Sequence, residues 1–189
     1  MNLALALTLL RLLLAPVVVI LLLRERYALL LPLFALAALS DWLDGYVARR
    51  FGMMTRLGGL LDPLADKVLI GATVVALTWV GRLPLWLTLL VLARDILIVG
   101  GAAAYRLMTG RLEMAPTLLG KFNTFLQLTL LLAVVLDAAR WLALATALPY
   151  GQIVVAATTA LSGVEYVARW GGKALAWRKA AYRRQSGRA

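Results

Sequence analysis

The chain has 189 residues, 63% of them apolar, and a mean hydropathy of +0.87, whereas a soluble domain carries about 45–50% apolar residues. Cysteine and histidine are both absent, which excludes disulfide scaffolds, thiolate or imidazole metal sites, cysteine nucleophiles and Ser-His-Asp catalysis. The net charge of +11 comes from 20 Lys and Arg against 9 Asp and Glu; it points to anionic lipid headgroups and away from nucleic acid as a partner, because the aromatics are not interleaved with the basic residues in any recognisable nucleic-acid-binding module.

At about 20 residues per span, this apolar content suffices for about six transmembrane helices and little else. Residues 1–189 therefore read as a single all-α integral membrane domain, one bundle of about six helices. In chain order the predicted helices are Leu3–Leu23, Tyr27–Arg49, Gly59–Val80, Leu83–Tyr105, Leu118–Leu136 and Trp141–Val167. The first lacks a basic leader and a small-residue cleavage site, so it reads as retained. Only the last holds a long charge-free run, Trp141–Val164. Ionisable residues in the others are expensive in lipid and should face the bundle interior, a wet cavity or the interface. Tyr182–Ala189 is polar and reads as a frayed end.

Charge bias sets the orientation. Arg49, Arg50 and Arg56, then Arg106, Arg111 and Lys121, then seven basic residues in the tail over 169–189 make thirteen on one side. Arg24, Arg26, Arg82 and Arg140 make four on the other. The positive-inside rule puts both termini in the cytoplasm.

Four of the nine acidic residues, Asp41, Asp44, Asp62 and Asp66, fall within 26 positions. From Asp41, the offsets to Asp44, Gly45, Ala48 and Arg49 trace one helical face, and Gly58, Asp62 and Asp66 at i, i+4 and i+8 trace another. The short loop between them makes the two helices antiparallel neighbours whose acidic faces can meet. Taken singly, each aspartate has a structural reading: Asp41 and Asp44 capping a helix or pairing with Arg49 and Arg50, Asp62 capping a helix before Pro63. Four carboxylates in one intramembrane site, however, repel unless cations neutralise them. All-oxygen ligands beside an arginine suggest Mg²⁺ or Mn²⁺ with a phosphate-bearing substrate. Gly45 and Ala48 leave the face bare for a flat or bulky ligand.

The run Asp41-x2-Asp44-Gly45-x2-Ala48-Arg49-x8-Gly58-x3-Asp62-x3-Asp66 matches without departure the signature of the CDP-alcohol phosphotransferase family, which the chain resembles over 41–66 and more weakly from Thr8 to Leu130. The resemblance implies a six-helix intramembrane enzyme, usually a homodimer, whose active site opens to the cytoplasm, here of a bacterial inner or plasma membrane. By that resemblance, Asp41, Asp44, Asp62 and Asp66 hold one or two divalent ions. Asp41, Gly45, Ala48, Arg49 and Gly58 contact the CDP moiety, and Asp66 doubles as general base. The implied reaction moves a phosphatidyl group from CDP-diacylglycerol to an alcohol, releasing CMP.

The acceptor is read from later residues. Arg94, Arg106 and Lys121 are candidate ligands for an acceptor phosphate, with Arg94–Asp95 pairing and ordinary cytoplasmic positives as the plainer alternatives. Asn123, Thr124 and Gln127 suit interhelical hydrogen bonds as well as ligand contacts. The stretches ARDILIVGGAAAYR and APTLLGKFNTFLQL look more like the cardiolipin-forming branch than the phosphatidylglycerophosphate-forming branch. The latter usually carries a further Arg in a region occupied here by Ala102, Ala103 and Ala104. Leu5 departs from the family, where Asn commonly precedes the position of Thr8 by three. The resemblance thus favours phosphatidylglycerol over glycerol 3-phosphate. An intramembrane prenyltransferase would need a second, distant Asp-rich motif. A cation transporter would have no use for Arg49 in the same site.

Overall fold

The computed structural model describes residues 3–33, 58–109 and 117–186, with side chains over 13–33, 67–107 and 117–172. Every regular element among them is helical: α1 Leu3–Leu23, α2 over residues 27–33, α3 Gly58–Trp79, α4 Leu85–Thr109, α5 Leu118–Ala138 and α6 Leu148–Ser186. The chain forms two compact units, each assembled from separate stretches. The first comprises Met1–Thr88 and Leu128–Gly151, the second Leu89–Gln127 and Gln152–Ala189.

In the first unit α1 packs against α3. Ala15, Val18, Leu22, Leu30, Val74, Ala76, Leu77, Leu87, Val134 and Val135 form an almost wholly aliphatic core. The threonines inside it satisfy themselves. Thr73 donates to the Leu69 carbonyl at 2.8 Å and Thr78 to the Val74 carbonyl at 2.9 Å, the usual way a hydroxyl is accommodated within a helix. Thr78 also pairs with Thr88 across the turn between α3 and α4.

Three helices of this unit stop in the same manner. After α1, Glu25 N–H donates to Leu22 and Arg26 N–H to Leu21; after α3, Gly81 donates to Thr78 and Arg82 to Leu77; after α5, Arg140 donates to Asp137 and Trp141 to Leu136. This paired backbone pattern closes a helix with one left-handed residue. Its φ is 53° at Glu25, 71° at Gly81 and 60° at Arg140. Only Gly81 announces such a stop in the sequence. Arg82 then lies 5.5 Å from the Tyr27 ring centroid, tying the turn after α3 to the start of α2.

The last predicted helix needs correction at both ends. Residues 139–147 form a loop, pinned where Asp137 Oδ1 accepts the Leu144 N–H at 2.8 Å. The apolar run from Trp141 is therefore split between loop and helix. Hydropathy registers apolar content, and it cannot distinguish a folded loop from a span. At the other end α6 continues to Ser186, so most of the end expected to fray is helical.

Among the described residues, two helices are long and apolar enough to cross a membrane, Leu85–Leu107 and Leu118–Ala138. Both carry ionisable or amide residues, and α4 shows why they are tolerated. Arg94 is 6% exposed, whereas Ile96 is 72% and Leu107 88% exposed. A buried arginine beneath an aliphatic exterior inverts the pattern of a soluble helix and suits a lipid surrounding.

Candidate functional site

Gly58, Asp62 and Asp66 all stand on α3, which begins at Gly58. Successive members are rotated by about 40° at 3.6 residues per turn, so the three share one face. Asp62 lies a full turn inside the helix, so it does not cap its start. Asp41, Asp44, Gly45, Ala48 and Arg49 lie outside the described residues, as do the side chains of Asp62 and Asp66. A face carrying two carboxylates and a glycine has the all-oxygen donor chemistry that suits a hard divalent cation.

The second unit holds the candidate cations and most of the buried polar side chains among the described residues. Arg94 on α4 is hydrogen-bonded within this unit. Its Nη1 donates to Asp95 Oδ1 at 2.7 Å, and Nε and Nη2 donate to Ser162 Oγ of α6 at 3.3 and 2.9 Å. Its guanidinium carbon sits 5.7 Å from the Tyr166 ring centroid. The Asp95 pairing expected as the plainer alternative is thus present, joined by a second partner on another helix. Arg106, in the last turn of α4, and Lys121, in the first turn of α5, are both exposed. Arg111 lies outside the described residues.

Thr117 starts α5 in the manner of a good capping residue. Its Oγ1 accepts the Gly120 N–H at 2.9 Å, its carbonyl accepts the Lys121 N–H at 3.0 Å, and its own N–H donates to Tyr166 Oη at 3.3 Å. Further along α5, Asn123 Oδ1 accepts from Thr158 at 2.8 Å and Thr159 at 3.0 Å, and Gln127 Nε2 donates to Thr159 Oγ1 at 3.3 Å. Asn123 and Gln127 are therefore interhelical hydrogen-bond partners, whereas Thr124 donates to the Gly120 carbonyl of its own helix.

Sequence reasoning passed over Thr117, Thr158, Thr159, Ser162 and Tyr166. The available signal was their spacing. Thr159, Ser162 and Tyr166 recur at i, i+3 and i+7 along α6, which is a polar stripe at helical period.

The exposed aliphatic exterior, buried arginine and interhelical amide and hydroxyl bonds are those of a helical membrane protein. A family model described as CDP-alcohol phosphatidyltransferase matches residues 1–174, and the chain belongs to that family. A Mycobacterium tuberculosis protein named probable phosphatidylglycerophosphate synthase is 35% identical over 175 residues, covering 89% of this chain and 81% of the relative. A Streptomyces coelicolor protein named cardiolipin synthase (CMP-forming) is 42% identical over 110 residues, or 58% of this chain and 51% of the relative. A Bacillus subtilis protein named CDP-diacylglycerol–glycerol-3-phosphate 3-phosphatidyltransferase is 36% identical over 107 residues, or 55% of this chain and 53% of the relative. The chain is thus an enzyme of phospholipid biosynthesis. The relatives carry names from both acceptor branches.

Proposed function

We propose that this enzyme transfers the phosphatidyl group of CDP-diacylglycerol to phosphatidylglycerol, forming cardiolipin and CMP. The acceptor oxygen bonds to the β-phosphorus, the bond from that phosphorus to the CMP phosphate breaks, and the acceptor proton passes to Asp66. Asp41, Asp44, Asp62 and Asp66 would hold one or two Mg²⁺ or Mn²⁺ ions, which neutralise the diphosphate and orient it. Asp41, Gly45, Ala48, Arg49 and Gly58 would receive the CDP moiety, with the Arg49 fork on phosphate oxygens. Arg94, Arg106 and Lys121 would supply positive charge toward the acceptor.

The observation that carries this reading is the unbroken run from Asp41 to Asp66, three of whose fixed positions, Gly58, Asp62 and Asp66, fall on one face of α3. The alternative acceptor is glycerol 3-phosphate. It is favoured by the long match, over 175 residues, to the relative named a phosphatidylglycerophosphate synthase. Phosphatidylglycerol is favoured by the Ala102–Ala104 stretch, which lacks a further cation for a dianionic phosphomonoester. We further propose six spans in a single membrane domain, both termini in the cytoplasm, a homodimer, and an active site on the cytoplasmic face of a bacterial inner or plasma membrane. The charge bias supports this orientation.

The test incubates purified enzyme with CDP-diacylglycerol and either acceptor, with and without chelator, and resolves the lipid products by mass. Cardiolipin with phosphatidylglycerol, lost in chelator and restored by Mg²⁺ or Mn²⁺, is the expected result. Phosphatidylglycerophosphate as the only product would replace the acceptor and keep the chemistry. Full activity in a metal-free assay would remove the role given to the aspartates.

A further inference from the structure

We infer that Tyr166 and Ser162 of α6, together with Gly120 of α5, are positioning residues for the acceptor end of the site, locking the first turn of α5, and with it Lys121, against the buried guanidinium of Arg94. The inference rests on the acceptor role proposed above for the cations of this unit.

The first N–H groups of a helix have no partner within it, so in a buried setting each must find one elsewhere. Thr117 is 3% exposed, and its N–H has its partner in Tyr166 Oη. The Gly120 N–H is satisfied by Thr117 Oγ1. The start of α5 is therefore held from α6 by one phenol, itself 8% exposed and packed under Arg94. Ser162, one turn earlier on α6, takes two of the guanidinium's donors. With Nη1 committed to Asp95, the orientation of Arg94 is set from two helices.

Gly120 is where these groups converge. A Cβ there would lie 3.0 Å from Thr117 Oγ1, 3.1 Å from Tyr166 Oη and 3.3 Å from Arg94 Nη2. A side chain at this position would push the cap, the phenol and the guanidinium apart together. Asn123 and Gln127 already fasten α5 to α6 further along. The fastening at Tyr166 is additional, and it acts on the single turn that carries Lys121.

The consequence is selective. Loosening this turn should weaken acceptor recognition and leave the CDP-lipid alone, because Gly58, Asp62 and Asp66 of the proposed donor site stand on α3. In purified enzyme, Tyr166→Phe and Ser162→Ala should each raise the acceptor KM by about 5-fold, the scale of one lost hydrogen bond, while the KM for CDP-diacylglycerol stays within about 2-fold. Gly120→Ala should do more, and combining it with Tyr166→Phe should recover part of the loss, a coupling expected of groups in contact. Independently of turnover, amide exchange over 117–121 should accelerate about 10-fold in Tyr166→Phe, with exchange over 128–138 unchanged.

A parallel rise in both KM values, a fall in kcat alone, or unchanged exchange over 117–121 would overturn the inference. Tyr166→Phe keeps the ring, so it decides the matter even if Gly120→Ala does not fold. Wild-type enzyme that releases no CMP with either acceptor would remove the proposed function, and the exchange measurement would still decide whether Tyr166 fastens this turn.

Discussion

The two units of this enzyme solve the same problem with different chemistry. The first buries Leu22, Leu30, Leu77, Leu87, Val134 and Val135, and among the described residues its buried polar side chains are the threonines at 73 and 88. The second buries Arg94, Thr117, Asn123, Gln127, Thr159 and Ser162 among far fewer aliphatics. In lipid, apolar surface gains little from leaving one apolar environment for another, so helices associate through close packing and through interhelical hydrogen bonds. The first unit relies on packing and the second on hydrogen bonds. The proposed roles divide in the same way: the acidic signature belongs to the first unit and the candidate acceptor cations to the second.

The largest expected effect tests that functional division. Asp66→Asn should lower CMP release by at least ~10² while the thermal unfolding midpoint of the purified enzyme stays near wild type. A variant with wild-type turnover would break the assignment of base chemistry to the first unit. Arg94→Leu should come next, costing about 3 kcal/mol of stability, as expected for removing one member of a buried ion pair. Its readout is unfolding in detergent, and a neutral result would mean that the second unit does not depend on its polar core.

Two smaller effects compare the cores directly. Leu77→Ala, at a fully buried position, should cost about 2 kcal/mol through the cavity it leaves. Asn123→Ala should cost about 1 kcal/mol, the scale of an interhelical hydrogen bond in a membrane. Should Asn123→Ala prove the more damaging, packing would not be the stronger of the two devices. The smallest effect has the opposite sign. Glu25→Gly and Arg140→Gly remove side chains from left-handed positions and should each stabilise by roughly 0.5–1 kcal/mol, read as a raised unfolding midpoint.

The sequence by itself determined the helical class, because apolar content of this degree leaves few alternatives, and it located α1 at Leu3–Leu23 and the start of α5 at Leu118. It also delivered the family, through fixed identities at fixed spacings that need no tertiary information. Those local patterns depend only on helical period and on side-chain chemistry. The left-handed residues that close α1 and α5, Glu25 and Arg140, were not legible, because neither residue type favours that backbone. The loop over 139–147 was hidden by its apolar composition. Tertiary structure alone decided the fate of Arg94. Whether a guanidinium meets a phosphate, a neighbouring carboxylate or a serine 68 residues away depends on which helix faces it, and helical period says nothing about which helix that is. The same reason hid Tyr166 and Gly120, whose meaning comes from their convergence on one turn of α5.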